Sequence, residues 1–150
     1  MTSDLQPISE ILVPIDFAET SVRALRLAMR IASPSKSRLH LLHVVDDPML
    51  IQRSTSEKFR DEQADKMSMK FIDIMPPSQR EQFQTIMSVR FGTAYHEIET
   101  YAQEQDIDLI VMGNISRSLI TDALLGSVAA HIIRHAKCPV LTISDQCDDQ

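Results

Sequence analysis

Residues 108–143 read DLIVMGNISRSLITDALLGSVAAHIIRHAKCPVLTI. This segment begins within a short apolar run, Ile107 to Met112, which predicts a buried strand. A polar stretch follows from Gly113 to Thr121, and Gly126-Ser127 then begins a helix. The predicted inner face of that helix consists of Val128, Ile132, Ile133 and Ala136. Cys138 to Ile143 is apolar again, so the whole segment predicts a strand, a polar turn, a helix and a strand.

The same alternation extends towards the N-terminus. Glu10 to Asp16 (EILVPID) predicts a strand, and Thr20 to Ala32 predicts a helix from its apolar spacing. The next run, Arg38 to Val45 (RLHLLHVV), is almost continuously apolar, which is typical of a strand covered on both faces of a parallel sheet. A long helix with a thin apolar face is predicted from about Ser54 to Met75, where Pro76-Pro77 stops it.

Thr85 to Phe91 predicts a further strand, after which Gly92 makes a turn and Thr93 caps a helix. The inner face of this helix is predicted to hold Ala94, Ile98 and Tyr101 or Ala102. The order β-α-β-α-β-α-β-α-β predicts an α/β fold, an open, doubly wound five-stranded parallel sheet with helices on both faces. Ligands of such sheets bind at the carboxyl ends of the strands, here in the turns after Asp16, Val45 and Met112.

Composition narrows the class of protein. A chain of 150 residues with 43% hydrophobic residues predicts one domain, residues 1–150, and we expect the acidic tail, residues 144–150, to be frayed. The net charge of -6 argues against nucleic-acid binding, which needs clustered Lys and Arg. No apolar run is long enough for a membrane span, no leader pattern begins the sequence, and only two cysteines are present. We therefore expect a cytoplasmic protein without membrane or nucleic-acid partners.

The polar segment before the last helix predicts a phosphate-binding turn. Gly113 lets backbone amides approach an anion, Ser127 offers a hydroxyl at a helix start, and Arg117 adds a positive charge. The residues alone leave an alternative open, in which Gly113 only makes a tight turn and Ser127 only caps the helix. Asp16 likewise has two interpretations, because a carboxylate after the first strand can either contact a ligand or cap the following helix.

Three blocks carry a family resemblance: ILVPIDFAETSVRAL at residues 11–25, LHLLHVVD at 39–46, and the segment 108–143. Through them the chain resembles the universal stress proteins over nearly its whole length, most weakly from about Pro48 to Ile86. The resemblance implies a small stress-response protein that binds ATP, with or without Mg²⁺, and acts as a dimeric regulator. It also implies a homodimer through the last strand, Cys138 to Ile143. This agrees with the expectation that an apolar strand at the edge of a sheet is covered, here by the same strand of a second subunit.

The signature of nucleotide-binding family members is Gly, two residues, Gly, nine residues, then Gly followed by Ser or Thr. Gly113 and Gly126-Ser127 match its ends, but Ser116 stands where the middle glycine belongs. The resemblance implies that Pro14, Asp16 and Val44 surround the adenine and ribose. It places Met112 and Gly113 along the ribose. It assigns the phosphates to Ser116, Gly126, Ser127 and Val128.

Two departures from the family pattern support a second hypothesis, a dimeric family member that has lost nucleotide binding and works through protein partners. If Ser116 needs a positive φ, the cost is about 1 kcal/mol, which weakens affinity several-fold without abolishing it. Leu119 replaces a small residue of many nucleotide-binding relatives and could fill the loop. A third hypothesis, an adenylate-forming or electron-transfer enzyme, lacks a phosphate-gripping loop after the first strand.

Other candidate sites carry less support. His131 and His135 stand four apart on one helix, but no Glu or Cys accompanies them in a zinc-type pattern, so we expect no metal site. His40 and His43 fall on opposite faces of a strand and are expected to be satisfied or surface histidines. No nucleophile elbow or close acid pair occurs, so we expect no catalytic residues and at most slow, incidental ATP hydrolysis.

Overall fold

The computed structural model describes residues 7–114 and 125–144. Its strands are β1 (Glu10–Pro14), β2 (Arg38–Val45), β3 (Ile86–Phe91), β4 (Leu109–Gly113) and β5 (Val140–Ile143). They form one five-stranded sheet in the order β3-β2-β1-β4-β5, and all four pairings are parallel. The predicted fold class is thereby confirmed. The chain builds the sheet outward from β1 to β3 and then crosses to the other side of β1, so the strand order reverses between β1 and β4.

The helices are α1 (Glu19–Ile31), α2 (Pro48–Arg53), α3 (Glu57–Ile74), α4 (Pro77–Gln82), α5 (Ala94–Glu104) and α6 (Ser127–His135). Helices α1 and α3 bury residues in the core cluster on one face of the sheet, and α5 and α6 bury residues in the cluster on the other. Successive residues of β1 alternate between the two, with Ile11 and Val13 in the first cluster and Leu12 in the second. No helix in the described ranges combines the length and the apolar character that crossing a membrane requires.

The region between β2 and β3 differs from the prediction of one long helix. Helix α2 begins at Pro48, where Asp47 caps it by accepting a hydrogen bond from the Met49 amide at 2.9 Å. It ends at Arg53, with Ser54 as its C-cap residue, and Ser56 caps α3 by accepting from the Phe59 amide at 3.3 Å. Closely spaced serines thus end one helix and begin the next, because their hydroxyls compete for backbone groups.

The proline pair is predicted to stop a helix, and α3 does end at Ile74. Helix α4 is absent from the sequence prediction, yet Pro77 is itself its first residue. Proline is well suited to that position, since its fixed φ is helical and its missing N–H would have no intrahelical partner there.

Two helix details correct the sequence predictions. Ile133 is 46% exposed and does not belong to the inner face of α6, whose buried residues are Ala129 and Ile132. Thr93 is the N-cap residue of α5, but its side chain makes no capping hydrogen bond. Instead the Asp46 carboxylate, from the end of β2, accepts from the Ala94 amide at 2.9 Å.

The two histidines of β2 are satisfied as predicted. His40 is 1% exposed and is held between the Tyr101 hydroxyl at 2.8 Å and the Glu10 carboxylate at 2.5 Å. Burial is the main cause that raises the pKa of the Tyr101 hydroxyl. His43 contacts the Ile15 carbonyl at 2.8 Å. Neither histidine therefore needs a ligand to complete its contacts.

Candidate functional site

The carboxyl ends of β1, β2 and β4 border a crevice of about 710 Å³. This volume lies within the range of small-molecule binding sites in proteins. The crevice lies at the point where the strand order reverses, with the first residues of α6 on one side and the turn after β2 on the other. A doubly wound sheet opens such a crevice because the chains leaving β1 and β4 turn to opposite faces.

The turn after β1 forms one wall of the crevice. Asp16 is exposed, and its carboxylate accepts a hydrogen bond from the Ala18 amide at 2.9 Å, just before α1 begins. Phe17 between them has a positive φ of 66° and packs its ring on His43, with centroids 5.0 Å apart. The capping interpretation of Asp16 thus describes one of its interactions, and the carboxylate still has lone pairs that can accept from a ligand hydroxyl.

Gly113, at the end of β4, allows a close approach of α1 to the sheet. A Cβ atom at this position would lie 2.9 Å from Thr20 Cγ2, 3.0 Å from the Thr20 carbonyl carbon and 3.1 Å from the Ser21 nitrogen. Two of these three atoms are backbone atoms, so they cannot simply rotate away. The packing of α1 therefore supplies a structural reason for this glycine, beside the access to a phosphate inferred from the sequence.

Helix α6 presents its N-terminus to the crevice. Gly126 is its N-cap residue, and among the described residues no side chain accepts from the Ser127 or Val128 amide. The Gly126 amide donates to the Asn114 side-chain oxygen at 2.9 Å, which ties the end of β4 to the start of α6. The next amides, of Ser127 and Val128, precede the first intrahelical hydrogen bond, made by the Ala130 amide, and so carry the partial positive charge of the helix start.

The opposite end of the crevice is acidic. Asp46 and Asp47 follow β2 and line the crevice together with Asp16, and none of its described lining residues is Lys or Arg. Each carboxylate already accepts one backbone amide hydrogen bond, from Ala94, Met49 or Ala18. These bonds fix the carboxylates at the rim. A bound molecule would therefore meet negative charge at the β2 side and helix amides at the β4 side.

Most of the sequence-predicted binding residues lie together in this crevice. Its lining includes Pro14, Asp16, Val44, Met112, Gly113, Ser127 and Val128. Gly126 is not among the lining residues but adjoins them as the N-cap of α6. Ser116 and Arg117 lie outside the described residues, as does Leu119, so their predicted roles stay predictions. The acidic tail beyond Ser144 lies outside them too.

Several lining residues were not predicted from the sequence. Asp46 and Asp47 had a usable signal, since they directly follow a strand whose carboxyl end was already a predicted ligand position. Thr20 and Ser21 line the crevice because the first turn of α1 packs against Gly113. Nothing in the local pattern of α1 indicates that contact, because it depends on how the helix returns to the sheet.

A family model described as the universal stress protein family matches residues 7–144 of this chain. Universal stress protein G of Escherichia coli O157:H7 is 32% identical over 149 residues, covering 89% of this chain and 96% of that protein. A universal stress protein of Methanocaldococcus jannaschii is 26% identical over 151 residues, covering 89% and 93%. Its solved structure superimposes with a TM-score of 0.75 at 23% identity, covering 95% of this chain and 100% of that one.

Two further solved structures of similar fold contain adenine nucleotides. One is a universal stress protein in complex with cAMP, with a TM-score of 0.63, 21% identity, and coverage of 93% of this chain and 98% of that one. The other is a universal stress protein family member of Arabidopsis thaliana with AMP bound. Its TM-score is 0.58 at 19% identity, and 94% of each chain is covered. At these identities the likeness concerns the fold.

Proposed function

Because this chain belongs to the universal stress protein family, we propose that it binds an adenine nucleotide, ATP with or without Mg²⁺, in the crevice at the carboxyl ends of β1, β2 and β4. In this proposal the protein is a dimeric regulator in the cytoplasm and acts by binding rather than by catalysis. The observation that carries the proposal is the polarity of the crevice, which has helix amides at one end and carboxylates at the other.

The α6 end suits phosphates. Ser127 is exposed at the first position of α6, so its hydroxyl and the adjacent backbone amides can donate to the same group of oxygens. The aligned peptide dipoles of the helix favour a negative charge at this end. Arg117 in the preceding segment is the proposed source of a full positive charge.

The β1 and β2 end suits adenosine. Carboxylates accept hydrogen bonds from ribose hydroxyls, and Asp16 stands at this end with unused acceptor capacity. Val44 and Pro14 offer apolar surface for an adenine ring. Phosphates at this end would meet Asp46 and Asp47 instead, so the charges favour one orientation of the nucleotide.

The two nucleotide complexes of similar fold support the choice of ligand class. One of these proteins holds cAMP and the other AMP, and both contain adenosine. Neither identifies the number of phosphates that this chain prefers. A titration series of adenosine, AMP and ATP therefore belongs to the test.

The direct test is calorimetric titration of the full chain with ATP and Mg²⁺, with GTP as the comparison. We expect ATP to bind and the Ser127→Asp variant to lose at least about tenfold in affinity, equal to 1.4 kcal/mol, because its carboxylate faces the phosphates. An acidic residue at the first position of a helix is favourable for the helix itself. Loss of binding in this variant would therefore not reflect loss of the fold.

Two controls sharpen the test. Ser127→Ala removes one hydroxyl without adding charge and should weaken ATP binding only several-fold. Adenosine lacks phosphates, so its affinity should be the same in the wild type and in Ser127→Asp. The proposal fails if millimolar ATP produces neither heat nor a shift in melting temperature, or if Ser127→Asp binds ATP as the wild type does.

One observation favours the second candidate, a family member that works through protein partners without nucleotide. The Gly126 amide, an expected phosphate donor, is already occupied by the Asn114 side chain. If that bond closes the phosphate end, Asn114→Ala should bind ATP more tightly than the wild type. If the bond merely positions α6, the same variant should bind ATP no better and should be less stable.

We also propose that the chain forms a homodimer through β5. This strand is at the edge of the sheet, no described strand pairs with its second side, and Leu141 is 38% exposed. The Pro139 carbonyl accepts from the Ile110 amide, and the Ile143 carbonyl accepts from the Asn114 amide. Because the backbone groups of successive strand residues point to opposite sides, those of Thr142 face the open edge. Sheet pairing across this edge would satisfy those groups and cover the apolar strand.

Thr142→Pro tests the dimer, because proline removes the backbone donor that faces the open edge. We expect sedimentation velocity to show a dimer for the wild type and for Thr142→Val, which keeps the donor, and a monomer for Thr142→Pro. Circular dichroism would verify that the proline variant keeps its fold. A wild-type monomer at high micromolar concentration, or a folded proline variant that is still a dimer, would contradict the proposed interface.

A further inference from the structure

Helices α5 and α6 bring together one glutamate and two histidines outside the crevice. The side chains of Glu99, His131 and His135 offer ligand atoms that all lie within 4.8 Å of one another. None of the three lines the crevice at the ends of the strands. From these residues we propose that the chain binds a divalent transition-metal ion, with zinc the best match, between α5 and α6.

The donor set fits zinc. Two imidazoles and one carboxylate form a recognised three-ligand zinc set, in which a water molecule takes the fourth position. Histidines four residues apart on a helix present their rings on the same face. No sequence pattern indicates the third ligand, because Glu99 lies on a different helix from the two histidines.

The hydrogen bonding of His135 leaves the right nitrogen available. Its Nδ1 lies 2.9 Å from the His131 carbonyl oxygen, and because a carbonyl can only accept, this nitrogen carries the hydrogen. In the neutral ring the other nitrogen, Nε2, then has a free lone pair. Metal-binding histidines commonly donate their second N–H to a backbone carbonyl in this way, which orients the ring towards the ion.

The contact between Glu99 and His131 resembles that of neighbouring ligands. Glu99 Oε1 lies 3.0 Å from His131 Nε2, yet this buried oxygen accepts no well-directed hydrogen bond from the described residues. Two ligand atoms about 2.1 Å from a tetrahedral ion are about 3.4 Å apart. The observed 3.0 Å is about 0.4 Å shorter than this separation, so a small outward movement of the Glu99 side chain admits a shared ion, which also gives the unpaired Oε1 a partner.

The two histidine rings lie close together, and the site is accessible. The His131 ring is stacked between Tyr95, with centroids 3.9 Å apart, and His135, with centroids 4.2 Å apart. Stacked rings direct their in-plane lone pairs side by side, so the exposed His135 ring tilts out of the stack when both rings bind one ion. Glu99 and His135 also border a separate crevice of about 330 Å³ between the ends of α5 and α6. An ion at the three ligands would be open to solvent on that side, so water can complete its coordination.

The test uses the full chain, stripped with a chelator and titrated with zinc sulfate in the absence of nucleotide. We expect one zinc ion per chain and a rise in melting temperature, since a ligand at 100 times its Kd raises the folded-to-unfolded ratio by roughly 100-fold. His131→Gln and His135→Gln should each weaken binding at least about tenfold. Glu99→Gln should weaken it by a smaller factor, because the amide oxygen is still a weak ligand.

The matched control is His96→Gln, which removes an exposed imidazole of α5 that does not belong to the cluster. It should bind zinc as the wild type does. Since His135 is exposed, its substitution should leave the fold intact, and the urea midpoint of the metal-free variant would verify this. ATP affinity should also be unchanged in His135→Gln, which separates this site from the proposed nucleotide site.

Cobalt(II) identifies the ligand type. Bound by imidazole and carboxylate, it should show visible d–d bands without the charge-transfer band of a thiolate, and the doubly substituted Cys138→Ser, Cys147→Ser variant should give the same spectrum. The proposal is overturned if millimolar zinc gives no heat, if both histidine variants keep wild-type affinity, or if binding is lost only when the cysteines are replaced.

Discussion

Substitution of Gly113 by alanine tests how α1 and the crevice wall are held together. The added methyl group would meet the Thr20 side chain at 2.9 Å and two backbone atoms at 3.0 and 3.1 Å, where ordinary contacts begin near 3.4 Å. Relief requires α1 to retreat from the end of β4. Overpacking of this kind costs about 1–3 kcal/mol, and the lower chain entropy of alanine in the unfolded state returns about 0.4–1 kcal/mol.

The expected net loss of about 1–2 kcal/mol is measurable by urea unfolding, with a melting temperature lower by about 2–8 °C. Thr20→Ser provides an internal check, because it removes the Cγ2 atom at 2.9 Å and leaves both backbone contacts. In the Thr20→Ser background, Gly113→Ala should still be destabilising, by more than half of its original cost. The double-mutant cycle thus divides the cost between the side chain and the backbone.

Two results would refute this reasoning. If Gly113→Ala leaves the free energy of unfolding unchanged, the packing of α1 does not require glycine. If Thr20→Ser abolishes the entire cost, the backbone contacts are not limiting. In the expected case ATP affinity should fall as well, because retreat of α1 moves Thr20 and Ser21, which line the crevice.

Three other variants test contacts outside the crevice. Asp108→Ala removes the carboxylate that accepts from Ser9 and from the Glu10 amide, and urea unfolding should show a loss of about 1–2 kcal/mol at pH 7. Burial opposes ionisation of Asp108, but these hydrogen bonds outweigh it and lower the pKa of its carboxyl group from the ordinary 3.8. The difference in free energy of unfolding between Asp108→Ala and the wild type should therefore be fully present above pH 3.8 and disappear as the pH falls through the lowered pKa. His40→Phe should lower the free energy of unfolding by about 2 kcal/mol, because the Tyr101 hydroxyl and the Glu10 carboxylate lose their partner. A lower urea midpoint would show this loss. Gln84→Gly should raise the melting temperature, since Gln84 has a φ of 49° and relief of that conformation offers up to about 1 kcal/mol.

The sheet could be predicted from the sequence because each strand is an apolar run of its own. Arg38 to Val45 was predicted with the bounds that the structure has, since both of its ends are marked by a change to polar residues. The helices after β2 were predicted less well. Their bounds depend on whether the hydroxyls of Ser54 and Ser56 bond to the backbone, and apolar periodicity does not report on such capping.

The candidate sites show the same division between local and long-range information. The crevice could be located because topology alone brings the carboxyl ends of β1 and β4 together. The bond between Asn114 and Gly126 and the approach of Glu99 to His131 depend on the packing of separate elements. The spacing of residues along the chain does not indicate such contacts. Site residues that lie within one helix or strand are therefore easier to predict than site residues contributed by two separate elements.

The polarity of the crevice follows from the residues that accept hydrogen bonds at the N-termini of the surrounding helices. Asp46 and Asp47 accept the first amides of α5 and α2, and Asp16 accepts an amide before α1, so three carboxylates at this rim have structural partners. Helix α6 differs, because the side chain that accepts from its N-cap amide is the neutral Asn114, and no described side chain accepts from the Ser127 or Val128 amide. Its N-terminus is therefore where an anion from solution can supply an acceptor for these amides, and in the proposed complex this asymmetry directs the phosphates of the nucleotide towards α6.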